Sequence, residues 1–136
     1  MGTELTVLVL AALLQVVQFA LMSVSANLDV GPRKTLSPRD PDRLGKPLAE
    51  LLSPQAGRLF RAFTNHFESL LLFTIAVLAI TLTEQSTAVT AAAAWVYLAA
   101  RIIYVPAYAF GWVPWRSLIW FVGFGAIVVM LLAALI

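Results

Sequence analysis

Four apolar runs, at residues 5–25, 59–82, 89–110 and 115–135, take up most of the chain, and each is long enough to cross a hydrocarbon core about 30 Å thick as a single helix. Hydrophobic residues make up 61% of the sequence and charged residues 12%, which lies outside the range of soluble globular domains. At 136 residues there is room for one domain. The expected fold is therefore all-α, a single four-transmembrane-helix bundle over residues 1–136. The first run resembles a secretory signal in position, but Met1-Gly2-Thr3-Glu4 is acidic where a signal is basic, so a retained helix is expected.

The one substantial connection, residues 27–57, is rich in Pro, Asp, Arg and Lys and lacks helical periodicity, so it belongs in water. With the start of the second run it holds Arg33, Lys34, Arg39, Arg43, Lys46, Arg58 and Arg61, seven of the nine basic residues. The positive-inside rule makes this side cytoplasmic and puts both termini outside, with Glu4 and Glu84 on the outer face. Small size and the absence of an organelle signal favour a bacterial inner membrane. The same sidedness accounts for the net charge of +2, so nucleic acid is not expected as a partner. There is no cysteine to form a disulfide, and a lone His66 argues against a metal site.

Topology does not explain the polar residues inside the spans. The apolar part of the second run, residues 70–82, has only 13 residues, so its helix must begin near Arg58. Arg58, Arg61, Asn65 and Glu68 then lie within about 80° of one another on the helix, as one stripe. His66 points elsewhere and reads as a helix-flank or interfacial residue. Glu68 facing lipid would cost on the order of 3 kcal/mol, so it must face protein, water or a ligand.

In the third run Arg101, Tyr104 and Tyr108 share one face, with Arg101 a structural partner for Glu68. Arg116 and Ser117 open the fourth run at the cytoplasmic end. Cations and phenols converging on one half of a bundle ask for an anionic ligand whose carboxylates engage arginine in two-pronged hydrogen bonds. On the first helix Gln15 and Gln18 share a face, suited to bridging helices or a neighbouring subunit.

The string from Arg58 through Arg61, Ala62, Asn65 and Glu68 to Phe73 resembles the second-helix signature of the MAPEG family, the membrane-associated proteins in eicosanoid and glutathione metabolism. The four spans, the long first loop and the Arg101–Tyr108 segment resemble it too. The chain resembles a bacterial-type member similar to microsomal glutathione transferase. Where many members have a proline soon after the glutamate, this chain has Ser69-Leu70-Leu71-Leu72.

The resemblance implies a homotrimer with glutathione, as co-substrate, bound at each subunit interface near the cytoplasmic side. Arg61, Asn65 and Glu68 would hold the charged groups of glutathione, with Arg58 beside them, and Tyr104 and Tyr108 would reach in from an adjoining subunit. Arg116, with Ser117, matches an arginine-serine pair that lies by the thiol in some members, and is the candidate catalytic residue.

The activity so implied is a glutathione-dependent transferase or peroxidase acting on apolar, lipid-soluble electrophiles through an arginine-stabilised thiolate, with no metal. A non-catalytic scaffold of the same fold, binding membrane lipid or glutathione, is the alternative. A small cation exporter would also have four spans and a membrane glutamate, but the arginines around Glu68 would repel a cationic drug.

Overall fold

A computed structural model describes residues 2–30, 54–111 and 114–136 of the chain. Among the described residues four helices follow in order: α1 (Thr3–Val30), α2 (Pro54–Leu82), α3 (Ala88–Ala109) and α4 (Trp115–Leu135). Each contains a stretch long and apolar enough to cross a membrane. The second begins at Pro54, ahead of Arg58, so the polar stripe is helical as its short apolar part requires. Arg33, Lys34, Arg39, Arg43 and Lys46 lie outside the described residues.

The helix starts follow from local chemistry. Pro54 fits the first position of α2, where the missing N–H has no intrahelical partner to lose. Thr87 caps α3: the Thr90 N–H donates to its Oγ1 at 3.2 Å, and the Thr87 N–H donates to Thr90 Oγ1 at 2.8 Å. Glu4, expected on the outer face, is buried against this cap. Its carboxylate accepts hydrogen bonds from Ser86 and Thr90, both at 2.7 Å, and so ties the start of α1 to the start of α3. A carboxylate there also meets the positive end of the α3 dipole.

α2 and α3 form the central pair. Each packs against the other and against both α1 and α4, while the broadest contacts are α3 with α4 and α1 with α2. In α3, 50% of the spanning window is buried inside the protein, against 28% or less in the other three helices. That position suits its alanines: Ala93, Ala94, Ala100, Ala107 and Ala109 are all buried. Lipid tails offer no hydrophobic drive for helix association, so small side chains that let backbones approach are what hold such a bundle.

The core stacks Phe73 on Tyr97, with ring centroids 4.1 Å apart, among Val7, Ala11, Val77, Ile80, Ile127 and Met130. The outer faces are as apolar as the core. Val16, Leu71 and Phe121 are each more than 60% exposed, which is what a lipid-facing surface requires.

Among the described residues, Gln15 and Gln18 bridge no helices: the side-chain nitrogen and oxygen of both are buried without a hydrogen-bond partner there.

Candidate functional site

The site sits at the end of the bundle where α2 begins and α3 finishes. Helical spacing delivers its parts: Arg61, Asn65 and Glu68 from α2, Tyr104 and Tyr108 from α3, Arg116, Ser117 and Trp120 from the first turns of α4. One cavity of about 260 Å³ is lined by Asn65, Tyr104, Tyr108, Arg116, Ser117 and Trp120. A second, of about 330 Å³, is lined by Phe60, Arg61, Thr64, Asn65, Glu68 and Tyr108. Asn65 and Tyr108 line both, so the two are compartments of one cleft. Each is near the lower end of the roughly 300–1,000 Å³ range of small-ligand pockets.

Tyr108 is the hinge between them. The Arg61 Nε–H donates to its hydroxyl at 3.1 Å, and the Arg116 guanidinium stands 5.1 Å from its ring centroid. Tyr104 packs beside it, centroids 5.5 Å apart. The phenol holds one guanidinium by its hydroxyl and attracts the other through its ring. Arg116 therefore faces the cleft.

Within one chain, Tyr104 and Tyr108 stand together with Arg61 and Asn65 around the cleft, because α2 and α3 are neighbours. Arg58, the first residue of the stripe, lines neither compartment. Its guanidinium lies over Gly111 in the turn after α3, so close that a Cβ there would come within 3.1 Å of Nη1.

Arg101 does not pair with Glu68. It is buried, with Nε donating to His66 Nδ1 at 3.2 Å and Nη1 donating to Asn65 Oδ1 at 3.1 Å, and its guanidinium lies 4.3 Å from the Tyr104 ring centroid. Glu68 is exposed and opens onto the second compartment. The two part company because Glu68 sits at the outer edge of the α2 stripe, while Arg101 points to the interior.

His66 is not at the helix flank. It is fully buried, with its Nε2 3.0 Å from the Ala11 carbonyl oxygen of α1. The signal for this was present: His66 shares a helix face with Ala62, Ser69 and Phe73, the face turned into the bundle. Trp120, one turn after Arg116, also went unremarked in the sequence, though i and i+4 positions share a face.

In charge, the cleft sets Arg61 and Arg116 against Glu68, with Arg101 directly behind Asn65. It therefore offers several donors to anionic or carbonyl groups and one carboxylate to an ammonium group. At membrane depth these interactions are screened less than at a water-exposed surface.

Comparison with curated proteins and with solved structures gives no match. The sequence profile of the MAPEG family matches residues 5–136, which is nearly the whole chain. Four membrane-spanning helices and a profile match of that length establish that this integral membrane protein belongs to the MAPEG family.

Proposed function

We propose that the protein is a glutathione-dependent transferase or peroxidase acting on apolar electrophiles dissolved in the bilayer. The observation that carries this reading is the convergence of Arg61, Asn65, Glu68, Tyr108 and Arg116 on one cleft within a membrane-spanning bundle. Glutathione has two carboxylates, an ammonium group and a thiol. Arg61 and the Asn65 amide suit the carboxylates, Glu68 the ammonium, and Arg116 the sulfur.

An ordinary thiol has a pKa near 8.5, so roughly 3% is thiolate at pH 7. A guanidinium beside it in a poorly hydrated site stabilises the anion, and about 2.7 kcal/mol of such stabilisation lowers the pKa by two units and makes about three quarters of it thiolate at pH 7. The thiolate attacks an electrophilic carbon to form a C–S bond while the leaving group departs with its electron pair. With a hydroperoxide it attacks the terminal oxygen, forming an S–O bond as the O–O bond breaks to leave glutathione sulfenic acid and an alkoxide that takes a proton from water; a second glutathione thiol then condenses with the sulfenic acid to give the disulfide and water. The substrate reaches the cleft from lipid, where partitioning has concentrated it.

The reading includes a homo-oligomer, since Glu68 is exposed at membrane depth and a second copy laid on α2 would remove it from lipid; that it is a trimer rests on the family resemblance. It also includes an inward-facing α1–α2 connection and both termini outside, supported by the charge asymmetry of the sequence, and a bacterial inner membrane, in keeping with the small size of the chain.

Stopped-flow absorbance of the glutathione thiolate tests the function on the detergent-solubilised protein. The parent should generate thiolate at neutral pH. Arg116→Ala should bind glutathione but lose most of that signal, and Glu68→Gln should bind at least about tenfold more weakly. Binding without thiolate in the parent makes the protein a glutathione-binding scaffold. No binding at all removes both readings.

A further inference from the structure

The polar groups behind the cleft form a chain whose direction is fixed at both ends. A guanidinium only donates hydrogen bonds. The His66 Nδ1 that faces Arg101 Nε at 3.2 Å must therefore carry its lone pair, and the proton must be on Nε2. Nε2 in turn faces the Ala11 carbonyl at 3.0 Å, which only accepts. The two contacts demand the same tautomer independently.

At its other end, Arg101 Nη1 lies 3.1 Å from the Asn65 side chain, and by the same logic the atom facing it is Oδ1. That leaves the Asn65 NH2 as the edge available to the cleft, both of whose compartments Asn65 lines. The guanidinium also lies 4.3 Å from the centroid of the Tyr104 ring, a wall of the first compartment. Among the described residues its Nη2 is buried with no partner, and the cation is held there by neutral acceptors and a ring.

We propose that His66 and Arg101 are positioning residues: a relay from the Ala11 carbonyl through the imidazole and guanidinium fixes Asn65 so that it presents only donors to the cleft. The relay makes Asn65 selective for a carboxylate or carbonyl oxygen and against an ammonium group, which is left to Glu68. Naming glutathione as the ligand rests on the proposed function; the relay itself does not. Neither residue touches the ligand.

Three features of the fold serve the arrangement. Ala11 is fully buried where α1 meets α2, with its backbone carbonyl 3.0 Å from His66 Nε2. Gly123 lets α4 close over Arg101, whose Cδ lies 3.9 Å from where a Cβ would be. The Ser69 hydroxyl donates to the His66 carbonyl at 3.1 Å and lies 2.9 Å from the Tyr97 hydroxyl, which braces that turn of α2 against α3.

The chain has a single histidine, so its imidazole nitrogens can be read without assignment ambiguity by ¹⁵N NMR of the full-length protein in detergent, with no ligand present. The expected result is one tautomer, protonated on Nε2 with Nδ1 bare. A proton on Nδ1, or exchange between both forms, overturns the relay whatever the protein binds.

Glutathione titration of three variants forms the second arm. Arg101→Lys keeps the charge but cannot reach His66 and Asn65 together. His66→Phe removes the acceptor. His66→Asn restores an acceptor where Nδ1 lies. Affinity should fall at least about tenfold in the first two and recover to within about threefold of the parent in His66→Asn. The Asn65 side-chain amide signals, identified by their loss in Asn65→Asp, should move in the first two and return in the third.

Unchanged affinity and unchanged Asn65 signals in His66→Phe overturn the proposal. If the parent does not bind glutathione, the functional reading falls, and the relay is decided by the tautomer and the Asn65 signals alone. Thermal unfolding of each variant separates a repositioned site from a protein that has not folded.

Discussion

Gly111 shows how one backbone conformation can place a side chain 53 positions away in sequence. Its φ of 67° is in the left-handed region, and the Arg58 guanidinium lies against the space a Cβ would fill. Gly111→Ala should cost about 1–2 kcal/mol in thermal unfolding, through the left-handed penalty and displacement of Arg58. Arg58→Ala in the same background should relieve the steric part and leave the backbone part. Glu4, at the other end of the bundle, is a separate case. Glu4→Ala removes the acceptor for two hydroxyls and should cost about 2 kcal/mol without altering ligand affinity at the distant cleft. At this scale the polar stripe of α2 was legible in the sequence, since helical spacing alone puts Arg61, Asn65 and Glu68 on one side. The partner of Arg101 was not. Charge complementarity favours Glu68, but burial gives Arg101 to His66 and Asn65, and only the packing of α3 on α2 decides between them.

Between elements, the closeness of α3 and α4 determines whether the walls of the cleft meet. A Cβ on Gly123 would lie 3.4 Å from the Ala100 Cβ and 3.9 Å from the Tyr97 ring, so alanine just fits and anything larger does not. Gly123→Leu should destabilise the protein by about 1–3 kcal/mol and weaken ligand binding as Arg101 shifts, while Gly123→Ala should leave binding unchanged. The seam of α1 offers the opposite case. Gln18 is 2% exposed and both its side-chain polar atoms lack a partner among the described residues, so Gln18→Met, which keeps the length and removes the orphaned amide, should raise the unfolding temperature. The Ser69 segment belongs here too. α2 runs unbroken to Leu82, and the Ser69 hydroxyl, 2.9 Å from the Tyr97 hydroxyl, pins it to α3.

For the whole molecule, the absence of cysteine makes orientation directly measurable. In sealed right-side-out vesicles, Ser86→Cys should react with a membrane-impermeant maleimide, and Arg39→Cys should react only after the vesicles are opened. The reverse pattern would invert the proposed topology. Native mass spectrometry in detergent should show a trimer, and Glu68→Leu, which suits lipid as well as protein, should weaken that assembly if a second copy normally shelters the carboxylate.

Length and hydropathy determined the number of spans and the class of the fold, because a bilayer admits few solutions for an apolar run of about 20 residues. Helical periodicity determined which side of α2 is polar, because its angular spacing is fixed by backbone geometry. The family signature could be read for the same reason, being a set of residue types at fixed helical intervals. The tertiary structure alone decided which helices are neighbours, and hence that Tyr104 and Tyr108 meet Arg61 and Asn65 within one chain. It also decided that Arg58 leaves the cleft for Gly111 and that His66 lies at the centre of the bundle. These depend on distances between helices that no one-dimensional pattern encodes, and in this bundle those distances are set by alanines and a glycine whose contribution is the space they leave empty.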